Sequence, residues 1–326
     1  MKVDVLCLRP KADFDRANAL PPPGLAIEYR VPDDPDVAAL MKQAHVLVIP
    51  AVGPKLPSEI FHDAKVRLVQ VTGAGLDRVD LALLRSMGIS VANVPGGSNS
   101  ALAEYAVTAA STLLRRFAWA DAEIRAGNYH KCRARMVADN LAGLDGMLVG
   151  VVGLGVIGMA VAQAFYRAGC RICYYDPAPR DLPAANAIDA QSVSLDELLQ
   201  TSDVVTLHVP LLAATRGLIG TVQLQKMKRG AVLIQASRGG IVDEVALAES
   251  LNNGQLAGAA IDVYETEPAG PHNPLLALQG EAARRVLFTP HIAGVTRQSA
   301  EFLFRSAWLN VERMLLKNEP PQNCVS

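Results

Sequence analysis

Three polar residues in the later part of the chain have side chains that could assist the reduction of a carbonyl group by a hydride donor: Arg238, Glu267 and His291. The planar guanidinium of an arginine can bind a carboxylate or a carbonyl through two hydrogen bonds. A histidine titrates near neutral pH, so it can protonate a developing alkoxide or take that proton back. A glutamate can orient the imidazolium and stabilise its charge. These residue types suit the reduction of a 2-keto acid.

Each of the three residues also has an interpretation without chemistry. Arg238 precedes two glycines and could lie in a surface turn, Glu267 could be a loop carboxylate, and His291 could be a capping residue. Each of them, however, follows an apolar run that is typical of a strand. Ligands bind at the carboxyl edge of open parallel sheets, so three such residues at one edge favour an active site.

The strongest local motif is the glycine-rich segment GLGVIG, which begins at Gly153. It follows the apolar run MLVGVV and opens a helical pattern, as a dinucleotide-binding turn requires. Gly153 permits the tight turn, Gly155 lets the backbone approach a pyrophosphate, and Gly158 lets the helix pack closely on the strand. The pyrophosphate would then meet the N–H groups at the helix start, including those of Val156 and Ile157.

Cofactor choice is indicated by Asp176, which ends the next apolar run, RICYYD, about 18 positions after the last glycine of the motif. A carboxylate at this place hydrogen-bonds the ribose hydroxyls and repels the 2′-phosphate of NADP. Arg180 is close in sequence and could weaken that discrimination. We therefore predict NAD as the cofactor.

Short apolar runs alternate with helical patterns along almost the whole chain, which indicates parallel βα units. The strands predicted in the first series are Val3–Leu8, Leu25–Arg30, Val46–Ile49, Leu68–Val71 and Ile89–Val91. A second series would complete a six-stranded dinucleotide-binding sheet. Its predicted strands are Leu148–Val152, Arg171–Tyr175, Val204–Leu207, Val232–Gln235, Ala257–Ile261 and Val286–Thr289. The fold class predicted is α/β, with two Rossmann-like, doubly wound parallel-sheet domains.

Helical patterns predict short helices at Val37–Ala44 and Leu81–Ser86, the second capped by Asp80. A long helix is predicted from Ser100 to Ala126, where Gly127 can end it.

The order of the patterns predicts a discontinuous layout, because one more helix, Gln298 to Lys317, follows the second series of strands. Residues 1–98 and 296–326 would form a flavodoxin-like substrate-binding domain. Residues 99–295 would form an NAD-binding Rossmann domain inserted into it.

Composition excludes several classes of partner. A chain of 326 residues suits two domains, and its formal net charge of -1 gives no electrostatic footprint for nucleic acid or an anionic membrane. The uncharged stretch Gly146–Tyr166 has the hydropathy of a membrane span. Its glycines and Gln163 favour a buried strand, a turn and a buried helix instead. The N-terminus lacks the apolar region of a signal peptide. We expect neither a nucleic-acid nor a membrane partner.

The five cysteines are scattered and odd in number, which does not suggest a disulfide framework. Cys170 and Cys173 form a CxxC pair, but redox pairs usually lie at a helix start, and Cys173 is predicted inside a strand. We find no cluster of histidine, cysteine and aspartate with metal-ligand spacing, and predict no metal site. Reduced thiols favour a cytoplasmic protein.

These motifs together resemble the D-isomer-specific 2-hydroxy acid dehydrogenases over essentially the whole chain, including glyoxylate/hydroxypyruvate reductases and phosphoglycerate dehydrogenases. The matching segments are VVGLGVIG with Asp176, HVPL, ASRGGIVDE, GAAIDVYETEP and TPHIAG. The resemblance implies an NAD-dependent oxidoreductase acting on CH–OH groups. It implies Arg238 as the substrate-binding arginine and Glu267 with His291 as the acid/base pair.

The resemblance also implies further contacts. Asp262 would contact the nicotinamide end of the cofactor, and Arg238 and His291 are implied as cofactor-binding residues as well. The other residues implied in the cofactor cleft are Thr108, His208, Val209, Pro210, Thr215, Ala236, Ser237 and Gly294. The segment VTGAGLD resembles the family loop whose N–H groups hold the substrate carboxylate. The substrate-binding residues implied there are Thr72, Gly73, Ala74 and Gly75. A homodimer formed through the 100–126 region is implied as well.

The substrate is indicated by two departures from the phosphoglycerate dehydrogenases. The segment IPAVGPKLP lacks their Arg-Ser-x-Thr pattern, and the chain ends at Ser326 without their regulatory extension. We therefore expect a small, unphosphorylated keto acid such as glyoxylate or hydroxypyruvate. Two alternatives stay open. One is a phosphite-type dehydrogenase of the same family. The other is an NAD-sensing corepressor similar to the C-terminal binding proteins, which carry additional tails.

Overall fold

The computed structural model describes residues 2–178 and 183–325, so Arg180 lies outside the described residues. The chain divides into two compact units. Unit 1 comprises Met1–Ser98 and Val295–Ser326, and unit 2 comprises Asn99–Gly294. Each unit contains helices and one sheet whose strands all run parallel. The predicted α/β class with two parallel-sheet units is confirmed.

The sheet of unit 1 has five strands in the order β2-β1-β3-β4-β5. The strands are β1 (Val5–Cys7), β2 (Ile27–Tyr29), β3 (Val46–Ile49), β4 (Leu68–Val71) and β5 (Ser90–Ala92). Between them lie α1 (Lys11–Arg16), α2 (Val37–Met41), a 3₁₀ turn (Ser58–Phe61) and α3 (Leu81–Ser86). Strands β3 and β4 are buried at every position and have the predicted bounds. Strands buried on both faces are continuously apolar, which makes them easy to locate in a sequence.

The sheet of unit 2 has seven strands in the order β12-β11-β10-β9-β6-β7-β8. They are β6 (Leu148–Val152), β7 (Arg171–Tyr175), β8 (Gln191–Ser192), β9 (Val204–Leu207), β10 (Val232–Gln235), β11 (Gly258–Ile261) and β12 (Val286–Phe288). The chain order reverses between β6 and β9, and open α/β sheets bind ligands at such a switch point. Strand β8 was not predicted, because its two exposed polar residues form no apolar run.

The predicted single helix from Ser100 to Ala126 is wrong, because two helices occupy this region: α4 (Asn99–Leu114) and α5 (Phe117–Arg125). The chain turns at Arg116, whose φ of 51° is left-handed. The Arg116 guanidinium pairs with Asp139, which directly follows α6 (Tyr129–Ala138), a helix that was not predicted. No glycine or proline marks this break in the sequence. A contact between distant residues accompanies the turn. Gly127, with a φ of 79°, follows α5 as expected.

The remaining helices of unit 2 are α7 (Val156–Arg167), α8 (Pro183–Asn186), α9 (Leu195–Thr201), α10 (Thr221–Lys226), α11 (Glu244–Asn252) and α12 (Gly280–Ala283). The last helix, α13 (Arg297–Leu315), belongs to unit 1. Its Phe304 and Trp308 pack on Phe14 with ring centroids 4.8 and 4.9 Å apart. The indole of Trp308 also donates a hydrogen bond to the Ala19 carbonyl. The two ends of the chain therefore share one apolar core.

Two segments with ambiguous sequence patterns are defined by the structure. The uncharged stretch 146–166 forms β6, the glycine turn and most of α7, as predicted. Among the described helices, none is long and apolar enough to cross a membrane. Cys170 and Cys173 are buried thiols that are not linked to each other. Within residues 2–178 and 183–325, no group of histidine, cysteine and acidic side chains could hold a metal ion.

Candidate active site

The turn between β6 and α7 has the shape of a phosphate-binding loop. A Cβ on Gly153, which has a φ of 89°, would lie 2.7 Å from the His208 carbonyl oxygen. A Cβ on Gly158 would lie 2.0 Å from the Gly153 carbonyl oxygen, so the packing of α7 on β6 excludes a side chain there. A Cβ on Gly155 would meet no atom within 4 Å. Gly155 thus faces open space directly before the N-terminus of α7, where a pyrophosphate would be stabilised.

Asp176 follows β7 and is connected to the glycine turn. Its Oδ2 accepts a hydrogen bond from the Leu154 N–H at 3.0 Å, and its Oδ1 accepts one from the Ala178 N–H at 3.0 Å. The carboxylate therefore holds the backbone of the turn in addition to its predicted role toward the ribose.

The sheet order brings the carboxyl ends of β9, β10, β11 and β12 side by side. After β9, the half-buried His208 lies next to Val209 and Pro210, and its Nε2 is 2.8 Å from the Thr206 hydroxyl. Burial lowers the pKa of His208 to about 4, so its imidazole is neutral at physiological pH. Thr215 closes this loop through its hydroxyl, which bonds the Pro210 carbonyl and the Leu212 N–H.

Arg238 follows β10 in a loop that Gln235 organises. The buried amide of Gln235 donates to the Arg238 carbonyl at 2.8 Å and accepts from the Ser237 hydroxyl at 2.7 Å. A Cβ on Gly239 would lie 1.8 Å from the Tyr264 carbonyl oxygen, so this loop packs directly on the one that follows β11. The predicted substrate arginine thus lies on a closely packed backbone.

Among the predicted catalytic residues, Glu267 and His291 are in direct contact. His291 Nδ1 lies 2.8 Å from Glu267 Oε2, and Glu267 Oε1 accepts the Tyr264 N–H at 3.0 Å. The His291 side chain is 24% exposed and the Glu267 side chain is 29% exposed. An ionised carboxylate only accepts hydrogen bonds, so Nδ1 carries a hydrogen. The other ring nitrogen, Nε2, is then the atom that can exchange a proton with a substrate.

Asp262, the first residue after β11, is 1% exposed and bonds extensively within the chain. Its carboxylate accepts hydrogen bonds from the Thr289 hydroxyl at 2.6 Å, the Ile292 N–H at 2.8 Å and the Ala293 N–H at 2.9 Å. Asp262 thus holds the segment that carries His291 through these three hydrogen bonds. Contact with a nicotinamide stays a prediction.

Glu244 is a supporting residue that the sequence analysis missed. Its two carboxylate oxygens accept the Glu265 N–H at 3.0 Å and the Asn273 amide at 2.9 Å. Burial raises its pKa above the usual value for a glutamate. These bonds hold the loop that carries Glu267. The only signal in the sequence is the position of Glu244 next to Asp243, which caps α11.

The remaining residues predicted to bind the cofactor lie after β10, at the end of unit 2 and on α4. Ala236 and Ser237 lie between β10 and Arg238, and Gly294 ends unit 2. Thr108 lies on α4 and is exposed.

In unit 1, the predicted substrate loop follows β4. The hydroxyl of Thr72 donates to the Ile49 carbonyl, and a Cβ on Gly73 would lie 2.7 Å from the Ala51 Cβ. The Asn93 amide donates to the Ala74 carbonyl at 2.8 Å. Within the described part of the chain, the N–H groups of Ala74 and Gly75 have no acceptor. They have the chemistry that binding a carboxylate requires.

Arg78 lies just beyond this loop and was also missed by the sequence analysis. It is 2% exposed, and its guanidinium donates to the Pro54 and Pro50 carbonyls at 2.9 and 3.2 Å. Burial lowers its pKa below the usual value for an arginine. These bonds connect the segment after β3 to the segment after β4.

A parallel sheet with a glycine turn at its switch point and a histidine–glutamate pair at its carboxyl edge defines a class, the nicotinamide-dependent dehydrogenases. The chain belongs to the D-isomer specific 2-hydroxyacid dehydrogenase family, whose NAD-binding domain matches residues 107–293. NAD is accordingly the cofactor of unit 2. The family consists of oxidoreductases that act on the CH–OH group of 2-hydroxy acids.

Several characterised proteins are similar over most of the chain. A glyoxylate reductase from Korarchaeum cryptofilum is 36% identical over 83% of this chain and 80% of its own length. A D-3-phosphoglycerate dehydrogenase from Archaeoglobus fulgidus is 38% identical over 75% of this chain, but the match spans only 45% of that enzyme. The solved structure of a pyruvate reductase from Chlamydomonas reinhardtii matches with a TM-score of 0.78 and 32% identity. The match covers 99% of this chain and 98% of the pyruvate reductase chain.

Proposed function

We propose that this chain is an NAD-dependent D-2-hydroxy acid dehydrogenase that acts as a reductase of a small 2-keto acid. The observation that carries the proposal is the 2.8 Å contact between His291 Nδ1 and Glu267 Oε2 at the carboxyl edge of the NAD-binding sheet. A carboxylate that holds one ring nitrogen leaves the other to serve as acid and base.

NADH held by the residues of unit 2 would supply the hydride, from nicotinamide C4, for C2 of the keto acid. His291 donates the proton on Nε2 to the oxygen at the same carbon, so that one hydride and one proton convert the keto acid into the hydroxy acid. Glu267 stabilises the imidazolium before the proton leaves. Arg238 binds the substrate carboxylate and polarises its carbonyl. In the oxidative direction, neutral His291 takes the proton from the hydroxyl group.

Cofactor binding is assigned to the glycine turn and the strand ends of unit 2. The N–H groups at the start of α7, including those of Val156 and Ile157, would hold the pyrophosphate. Asp176 would bind the ribose hydroxyls and disfavour NADP. The Asp262 carboxylate has about four acceptor sites, three of which accept bonds within the chain, and the remaining one would accept the carboxamide N–H of the nicotinamide. The other residues assigned to cofactor binding are Thr108, His208, Val209, Pro210, Thr215, Ala236, Ser237 and Gly294.

Substrate binding is assigned to Arg238 and His291 in unit 2 and to the Thr72–Gly75 loop in unit 1, where the N–H groups of Ala74 and Gly75 would hold the carboxylate. Glyoxylate and hydroxypyruvate are the proposed substrates. The similarity to a protein named glyoxylate reductase, which extends over most of this chain, supports a small keto acid as the substrate.

A panel of keto acids tests the activity. Glyoxylate, hydroxypyruvate, pyruvate and a phosphorylated keto acid are each incubated with NADH, and the chirality of the glycerate and lactate formed is measured. We expect reduction of the small unphosphorylated acids, with the D-isomer formed from hydroxypyruvate and from pyruvate; glycolate, the product from glyoxylate, has no stereocentre. Oxidation of phosphite by NAD would favour the phosphite-type alternative. Tight NADH binding without turnover of any acid would favour the corepressor-like alternative.

A homodimer through α4, α5 and the neighbouring α6 is also proposed. Four large apolar side chains on α5 and α6 are between 48% and 65% exposed: Phe117, Ile124, Tyr129 and Val137. Exposed apolar patches of this kind mark interaction surfaces, and closed two-fold dimers are the commonest assembly. The molar mass in solution tests this assignment. Ile124→Glu should produce a monomer, whereas a monomeric wild type would refute the dimer.

A cytoplasmic location is proposed because Cys7, Cys132, Cys170 and Cys173 are unlinked, buried thiols. Reduced thiols are typical of compartments that glutathione and thioredoxin keep reducing. Fractionation of the source cells tests this, and recovery from a secreted fraction would contradict it.

A further inference from the structure

The backbone of His291 has an unusual conformation. Its φ is 54°, in the left-handed region that residues with a Cβ adopt only when their surroundings hold them there. Three consecutive N–H groups, beginning with that of His291, donate to Asp262. The His291 N–H bonds the Asp262 carbonyl at 2.8 Å, and those of Ile292 and Ala293 bond its carboxylate at 2.8 and 2.9 Å. Asp262 therefore holds the catalytic histidine in its left-handed conformation.

The orientation of the Asp262 carboxylate depends on two hydroxyl groups. Thr289 Oγ1 is 2.6 Å from Asp262 Oδ1 and 2.8 Å from the hydroxyl of Tyr105, a residue of α4. A threonine hydroxyl has one hydrogen, and the carboxylate can only accept it. The Tyr105 hydroxyl must therefore donate to Thr289. Burial raises the pKa of Tyr105 to about 12, so this phenol keeps its hydrogen at physiological pH.

We propose that Tyr105 is a positioning residue for His291, acting through Thr289 and Asp262. This inference rests on the proposed function, because it assumes that His291 is the acid and base. The chain of bonds connects α4 to the segment after β12. Hydrogen bonds in such a chain polarise one another, so loss of the first donor weakens the bonds that follow.

The competing explanation is that Tyr105 only fills space. Its ring packs against the apolar cluster of α4 and α7, and phenylalanine would fill the same volume. Tyr105→Phe therefore removes the hydrogen bond and keeps the packing. Tyr166→Phe is the matched control, because Tyr166 is 42% exposed on α7 and outside the chain of bonds.

Steady-state kinetics and two variants of Thr289 test the proposal. Tyr105→Phe should lower kcat by about 2- to 10-fold, the value of one hydrogen bond, with little change in the Kd for NADH or the KM for the keto acid. Thr289→Val should lower kcat further, whereas Thr289→Ser, which keeps the hydroxyl, should retain most activity. The double variant Tyr105→Phe/Thr289→Val should be no slower than Thr289→Val alone, because both changes break one chain.

Hydrogen exchange provides a readout that does not depend on activity. The Ile292 and Ala293 amides should exchange faster in Tyr105→Phe, while the melting temperature stays close to that of Tyr166→Phe. If kcat and these two amides are unchanged, the proposal is wrong. A uniform rise in exchange together with a lower melting temperature also refutes it, because the role is then structural. If His291→Asn keeps full turnover, the proposed function fails, yet the exchange data still report on the chain of bonds.

Discussion

Glu267 Oε2 lies 2.8 Å from His291 Nδ1, while the other oxygen of the same carboxylate accepts the Tyr264 N–H at 3.0 Å. The backbone of its own loop therefore holds one oxygen of this carboxylate, while the other oxygen contacts the imidazole. Because the Glu265 N–H of that loop bonds Glu244 at the start of α11, the orientation of His291 also depends on α11. The ring nitrogen that faces away from Glu267 is the one that can serve the substrate.

Removal of the imidazole should abolish most activity. General acid–base catalysis contributes about 10²- to 10⁴-fold, and His291→Ala should lose that much in kcat/KM for keto acid reduction. His130→Ala, at an exposed position on α6, is the control. Near wild-type turnover in His291→Ala would mean that another group supplies the proton.

The two directions of the reaction should depend on pH with opposite signs. Reduction needs the protonated imidazole and oxidation the neutral one, so reductive kcat/KM should fall and oxidative kcat/KM should rise with increasing pH. Glu267→Gln should have a lower reductive kcat/KM than the wild type, because an amide does not stabilise the imidazolium charge and the 2.8 Å contact with His291 loses its ionic partner. An unchanged kcat/KM in this variant would remove Glu267 from the acid/base pair.

Two glycines of the turn, Gly155 and Gly158, should respond differently to a methyl group. Gly155→Ala should fold normally, since nothing lies within 4 Å of its Cβ, but it should weaken NADH binding by about tenfold or more. Gly158→Ala places its Cβ 2.0 Å from the Gly153 carbonyl oxygen and should cost about 1–3 kcal/mol of folding free energy. Melting curves and NADH titrations separate the two effects. The cofactor assignment is wrong if Gly155→Ala binds NADH as the wild type does.

Asp176 should determine the preference for NAD over NADP. Its carboxylate and the 2′-phosphate carry like charges, so the ratio of kcat/KM for NADH to that for NADPH should drop in Asp176→Ala. Asp176→Asn retains an acceptor for the Leu154 N–H and therefore separates the charge from the support of the turn. A wild-type preference for NADPH, or a ratio that neither variant changes, would contradict the assignment.

His208 should make stability depend on pH. Burial lowers its folded pKa to about 4, below the unfolded value of about 6.5, so the unfolded state binds the proton first as pH falls. The stabilising effect of the neutral ring is fully present above about pH 6.5. It is lost between about pH 6.5 and 4, and amounts to the order of 1–3 kcal/mol. The free energy of unfolding should fall less steeply across this window in His208→Gln. Parallel curves for the two proteins would show that His208 does not titrate in this way.

Much of the architecture could be predicted because it depends on local patterns. The bounds of β3, β4, β6, β7, β9 and β10 match the predicted runs, since strands buried on both faces are continuously apolar. The contact between His291 and Glu267 was also predicted, because each residue follows a strand that ends at one edge of a parallel sheet. Strand β8 was missed because pairing with β7 alone defines it.

The sequence by itself determined the βα order, the glycine turn and the residues proposed for the chemistry, because each depends on residue type and short-range periodicity. Tertiary structure decided the features that depend on distant partners. The turn at Arg116 is bonded to Asp139, the loop of Glu267 to Glu244, and the segment of His291 to Asp262, Thr289 and Tyr105. A hydrogen bond or ion pair between residues far apart in the chain leaves no periodic pattern in the sequence. Only the folded backbone brings such partners within bonding distance.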